Sequence, residues 1–229
     1  MSEIESAIIQ EDFPQAKKLS QDYLSAHADE PLAIEARYYL ALSQVRLGEY
    51  KEARDIFNDI VNSNVNDTLR DKAYIGLFDS YFMEERYENA FNVGDTMLKL
   101  SPHSEFLSLI YLKMARVHLK LTHWDEAKNY LEKIIGDFPG SLETFAARQL
   151  LDEKQYFAVQ VGSFIDRVRA EGLVNELKGK GEYAYIVEVA DKDSNQYYRV
   201  RVGQLAKLEE AQSLRSHLSE KGYPTQIYP

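Results

Sequence analysis

The sequence predicts two folds in series: an all-α solenoid of helix pairs over residues 1–153, then an α/β sandwich of βαββαβ order over residues 154–229. Three observations carry the prediction. Tyr50, Tyr87 and Trp124 recur 37 residues apart, each followed three residues on by an alanine. A recurrence of that length with only helical periodicity inside it is a stacked helix pair, because one pair alone cannot bury its apolar stripe. After Leu151 the recurrence stops, and residues 156–162 and 197–203 alternate with a period of two, as half-buried strands do.

In the helical part, Gly48-Glu49-Tyr50-Lys51-Glu52-Ala53 is answered by Glu85-Arg86-Tyr87-Glu88-Asn89-Ala90 and Thr122-His123-Trp124-Asp125-Glu126-Ala127. One step back, Phe13 and Ala16 open a degenerate fourth copy. Apolar positions at helical spacing flank each motif, for example Tyr38, Leu40, Ala41 and Val45 before it and Ala53, Ile56, Phe57 and Ile60 after it. The pairs are drawn as residues 2–10 with 13–27, 32–47 with 50–63, 68–84 with 87–100, and 105–121 with 124–137. Asp67, Ser104 and Asp125 are expected as caps or first-turn acids. Residues 141–155 continue as a capping helix with Phe145, Ala146, Leu150 and Leu151 on its core face. No Gly, Pro or Ser cluster separates Leu151 from Tyr156, so a restricted domain orientation is expected.

These motifs resemble the tetratricopeptide repeat (TPR) family, in which the small residue at Ala53, Ala90 or Ala127 lets the two helices approach closely. Pro102 and Pro139 stand where that family often closes a repeat. Gly48 is kept in one copy only, with Glu85 and Thr122 in its place elsewhere, and the 37-residue period suggests helices extended by about a turn. The resemblance implies a peptide groove along the first helix of each pair, lined by Tyr38, Leu42, Val45, Arg46, Ile75, Asp79, Phe82, Leu112, Arg116 and Lys120. An unidentified protein is the partner it implies.

The second part reads as strand 156–162, helix 165–179, strands 183–190 and 196–202, helix 207–221 and strand 224–228. Ala170, Leu173, Val174 and Leu177 stripe its first helix; Ala211, Leu214 and Leu218 stripe its second. This order is the ferredoxin-like (RNP-like) split βαβ plan, with both helices on one sheet face and the other face uncovered. On strict alternation Phe157, Val159 and Val161 point inward with Tyr198, Val200 and Val202, while Gln160, Tyr197, Arg199 and Arg201 point outward. Val159-Gln160-Val161-Gly162-Ser163-Phe164 and Tyr198-Arg199-Val200-Arg201-Val202-Gly203 resemble the motifs of the SPOR (sporulation-related repeat) family. Gln204 and Leu205 depart from that family's pattern. The resemblance implies a peptidoglycan-binding module whose sheet face, with Gln160, Ser163, Tyr185, Tyr197, Arg199 and Arg201, holds glycan strands, preferentially those stripped of stem peptides as at division sites. The chemistry suits a sugar chain: tyrosine offers a flat ring and a hydroxyl, glutamine a donor and an acceptor, and arginine a fork for a carboxylate.

Composition bounds the alternatives. With 45% hydrophobic residues in 229, both parts can hold cores. The net charge of −10 falls on the helical part, since residues 154–229 carry 11 Lys plus Arg against 10 Asp plus Glu, and an acidic body repels nucleic acid. RNA binding on the sheet is disfavoured further by the missing RNP1 aromatic pattern. No apolar run is long enough for a membrane span, and residues 1–10 lack the basic start and apolar core of a signal peptide. The chain as it stands therefore reads as cytosolic or as the processed part of an exported protein, and the SPOR resemblance favours a periplasmic or cell-envelope address. The lack of cysteine excludes disulfides and thiolate chemistry. His27, His103, His118, His123 and His217 form no catalytic or metal pattern, so neither enzyme activity nor a cofactor is expected. Asp191-Lys192-Asp193-Ser194-Asn195 opens like a calcium loop, but Gln196 and Val202 stand where glycine and glutamate are required, so a polar hairpin turn is expected. The alternative function is an intracellular interaction scaffold whose second domain only packs or dimerises.

Overall fold

The computed structural model describes residues 1–153, 155–190 and 195–229. The expected polar hairpin turn falls on Asp191, Lys192, Asp193 and Ser194, which lie outside them. The described residues form two compact units, Met1–Asp152 and Glu153–Pro229.

The first unit contains α1 (Ser2–Ile9), α2 (Phe13–Ala26), α3 (Ala33–Arg46), α4 (Tyr50–Val61), α5 (Asp67–Met83), α6 (Tyr87–Leu100), α7 (Leu107–Lys120), α8 (Trp124–Asp137) and α9 (Glu143–Asp152). Its core lies between successive pairs. Phe57 and Ile60 of α4 pack with Ala41 and Val45 of α3 and with Ala73 and Leu77 of α5. One repeat on, Ala90 and Met97 of α6 join Phe78 of α5 to Met114 and Val117 of α7. Ala53, Ala90 and Ala127 are each 0% exposed, which is the close approach their small size permits. Ala90→Leu or Ala127→Leu is therefore expected to overpack the pair and cost about 1–3 kcal/mol, read as a lower Tm of this unit. Asn66 caps α5, its side chain accepting from Leu69 N at 2.8 Å, and Asp67 stands as an acid in the first turn.

Three details correct the sequence reading. The longer period is not a shared extra turn, because α3 and α7 have 14 residues and only α5 has 17. Residues 62–66, 101–106 and 138–142 between the pairs take up the rest. Phe145 is 70% exposed, since α9 turns Thr144 and Ala147 inward and Phe145 lies about 100° from the first and about 160° from the second. The repeat glycine is a conformation before it is a residue: Gly48 has φ +81°, and Glu11, Glu85 and Thr122, at the same step of 37, have φ of 58°, 61° and 62°. The left-handed turn that ends the first helix of each pair survives although three of its four bearers carry a Cβ. Thr122→Gly is expected to stabilise this unit by about 0.5–1 kcal/mol, and Gly48→Ala to cost about as much. Among the described residues nothing lies within 4 Å of a Cβ added at Gly48, so backbone strain sets the sign there.

The second unit is β1 (Phe157–Phe164), α10 (Arg167–Gly179), β2 (Ala184–Ala190), β3 (Gln196–Leu205), α11 (Leu208–Glu220) and β4 (Gln226–Tyr228). The sheet order is β2-β3-β1-β4, all neighbours antiparallel. Val159, Val161, Ala184, Val200 and Val202 meet Ala170, Val174 and Leu177 of α10 and Leu218 of α11. Both helices thus cover one face.

The strands do not stop at their glycines. Gln160 pairs with Arg201 but Gly162 pairs with Val200, so Val161 is an extra residue in β1 and the alternation shifts there. Val161 and Gly162 both turn to the core; a Cβ on Gly162 would lie 2.6 Å from the Phe164 ring and 3.1 Å from Leu173 Cδ2. Ser163 then falls opposite Arg199, on the outer face. Gly203 marks a second irregularity, with φ +83° and its N–H donating to Tyr183 O at 2.9 Å.

Candidate functional site

The face of the sheet away from α10 and α11 collects polar and aromatic side chains in cross-strand rows. Gln160 of β1 stands opposite Arg201 of β3 and Gln226 of β4, and Arg201 stands opposite Tyr185 of β2. The next row joins Ser163, Arg199 and Val187, and the last joins Tyr197 to Val189. All six residues expected on this face lie on it, Ser163 because of the bulge.

Tyr228 is the residue that sequence reasoning missed. It pairs with Ala158 in β4, and its ring lies 4.7 Å from the Arg201 guanidinium carbon and 6.0 Å from that of Arg199. The signal was present, since Ile227 is the apolar member of a three-residue strand and Tyr228 must then face the other way. A guanidinium held over an aromatic face is preorganised and weakly hydrated, which suits it to a planar anion. Tyr185 flanks Arg201 on the other side and donates its hydroxyl to Gly203 O at 3.3 Å. Burial, with the Tyr156 hydroxyl beside it, raises the Tyr185 pKa, so this group stays a neutral donor.

Two atoms at the centre of the face are incompletely satisfied. Gln160 Oε1 and Arg201 Nε are both buried and have no hydrogen-bond partner among the described residues. Leaving a polar atom so costs about 1–3 kcal/mol, a cost that a ligand offering matching groups would remove. No carboxylate pairs with Arg199 or Arg201 among the described residues.

The expected groove in the first unit is reduced. Val45 and Leu112 are 3% and 6% exposed and belong to the core, Leu112 because α9 continues the stack beside α7. Tyr38 packs on Phe57 at 6.0 Å, and its pKa is pushed up to about 12, chiefly by burial. Phe82 is held between Phe78 and Tyr87, Ile75 packs in the same cluster, and Asp79 is ion-paired with Lys113. Leu42 is half-buried, whereas Arg46, Arg116 and Lys120 are exposed. Between α1, α3 and α5 a cleft is lined by Glu5, Glu35, Tyr38, Tyr39 and Lys72. Glu35 and Lys72 occupy one repeat position, a step of 37 that the sequence reading did not use.

Among the described residues no three His, Cys, Asp or Glu side chains cluster as metal ligands, and no helix is long and apolar enough to cross a membrane. Comparison with known proteins finds family models that match parts of both units. Residues 153–228 match the model of the SPOR domain, and residues 3–67 and 110–141 match tetratricopeptide repeat models. A tetratricopeptide repeat protein from Parabacteroides merdae is similar in structure at 14% identity and a TM-score of 0.52, over 79% of this chain and 64% of that one. A crystal structure of MamA aligns at 22% identity and a TM-score of 0.49, over 66% of this chain and 82% of that one. No curated protein matches the chain.

Proposed function

We propose that this tetratricopeptide-repeat protein with a C-terminal SPOR domain binds peptidoglycan glycan strands on its uncovered sheet face, while the helical repeats hold a protein partner. The observation that carries the proposal is the centre of that face, where Gln160 and Arg201 stand opposite each other in the sheet, each with a buried side-chain atom that has no hydrogen-bond partner among the described residues, and the Arg201 guanidinium lies over the Tyr228 ring. A merely solvated sheet face has no reason to keep such atoms from water. A pyranose supplies hydroxyls that both donate and accept, and C–H faces that stack on tyrosine.

The preferred ligand is glycan denuded of stem peptides. Amide cleavage leaves a lactyl carboxylate on each muramic acid, and Arg201 offers it a charged fork that no protein carboxylate among the described residues occupies. Without its peptides, a strand also lies flat against the sheet. This reading places the protein in the cell envelope, acting without catalysis where amidases expose bare strands during division. The test is co-sedimentation of the full chain with purified sacculi before and after amidase treatment. Binding should rise after treatment; equal or absent binding in both arms would reject the reading.

A further inference from the structure

The two edges of the sheet are built differently. The edge at β4 is three residues long, between Pro224 and Pro229, and is blunted by that brevity and by residues that lack an N–H. The other edge, β2, runs for seven residues, Ala184-Tyr185-Ile186-Val187-Glu188-Val189-Ala190, and among the described residues it pairs with β3 alone. It contains no proline, glycine or lysine, and its pairing with β3 runs without a bulge. Its single charge, Glu188, is occupied by Gln196 Nε2 at 2.7 Å and Arg167 Nη1 at 3.4 Å. On the outer side of an edge strand every second residue turns both backbone groups away from its neighbour, so β2 is a template for a further strand.

We propose that this edge pairs with the same edge of a second copy of the chain, antiparallel about a two-fold axis through Val187. In antiparallel pairing of two β2 strands, this is the register in which all seven residues find partners. It sets Val187 against Val187, Tyr185 against Val189 and Ala184 against Ala190, which are aromatic–aliphatic or apolar contacts that favour sheet pairing. It also sets Glu188 against Ile186, so the like charges do not meet. The second unit is close to electrically neutral, with 11 basic and 10 acidic residues from 154 to 229, so two copies of it approach without strong repulsion. A strand from a different protein would satisfy the backbone equally well, but the self-complementary register gives the second copy the better side-chain match. The outcome is one eight-stranded sheet whose two uncovered faces lie on the same side. If the glycan reading also holds, a repetitive polymer would engage both faces at once.

The experiment needs no glycan, so the two readings fail separately. The chain has no cysteine, and a single introduced thiol therefore reports its own position. Directly opposed residues in an antiparallel pair hold their Cβ atoms about 4.5–5.5 Å apart, within reach of a short bis-thiol linker. Full-length Val187→Cys should crosslink to a dimer several-fold faster than Glu188→Cys, although Glu188 is the more exposed of the two. Equal rates would mean random collision and overturn the proposal. Sedimentation equilibrium of the unmodified chain is the second readout, independent of how either variant folds. A reversible monomer–dimer equilibrium is expected, and a monomer at every concentration up to the millimolar range would overturn the proposal as well.

Discussion

Val200→Asp is expected to unfold the second unit and leave the first one folded. Val200 is 0% exposed, sits between Gly162 and Ile186 in the sheet, and packs in the cluster formed with α10 and α11. Removing the valine forfeits about 1.5–3 kcal/mol of burial. The carboxyl that replaces it has no partner there and must either be buried charged or be protonated well above its ordinary range, which costs several kcal/mol more. A unit of this size has about 4–12 kcal/mol in total, so the sum is comparable to everything that holds it together. Calorimetry of the parent should show two transitions, or one broad one, and the variant should lose the part belonging to the sheet. The first unit has its own core between helix pairs and should melt unchanged. Two intact transitions in the variant would mean that Val200 does not face the helices.

Periodicity made most of this fold readable before any coordinates. The spacing of Tyr50, Tyr87 and Trp124 placed the helix pairs because stacking forces each repeat to solve the same packing problem, with Ala53, Ala90 and Ala127 at the tightest point. Strand order followed from where the period changed from helical to alternating. Alternation failed at Gly162 and Gly203, where it was read as ending and the chain instead bulges and continues. A bulge leaves no mark on hydrophobic pattern beyond a glycine, and a glycine also marks a strand end. In the repeats, residues at peptide-groove positions could not be told from core by type alone. Leu112 is core because α9 packs beside α7, a fact about the neighbouring helix rather than about Leu112. Tyr228 was missed for a related reason: a three-residue strand at the chain's end has too few positions to display a period.

Arg201→Ala should have the largest effect on glycan retention of any substitution on the outer face, and it should do so without unfolding the protein. Arg201 is central: it faces Gln160 across one strand pair and Tyr185 across the other, and its guanidinium is 4.7 Å from the Tyr228 ring. Arg199 lies one row outward and 6.0 Å from that ring, so it is less firmly held. Hydrogen bonds to charged groups contribute about 1.5–3 kcal/mol, which corresponds to a loss of about tenfold to a hundredfold in affinity for denuded glycan. Gln160→Ala removes a neutral pair of groups and should cost about 1 kcal/mol, or about fivefold. Arg201→Lys keeps the charge but loses the planar fork and the stacked geometry, so it should rescue little. Tyr228→Ala should weaken binding twice over, through lost stacking on the sugar and through release of Arg201 from its fixed orientation. Salt separates the charge contribution from the rest, because an exposed ion pair is screened and a stacking contact is not. The affinity of the parent and of Tyr228→Ala should therefore fall with ionic strength, while that of Arg201→Ala should fall much less steeply. Folded, monodisperse Arg201→Ala that binds denuded sacculi as the parent does, with the same salt slope, would remove the ligand from this face.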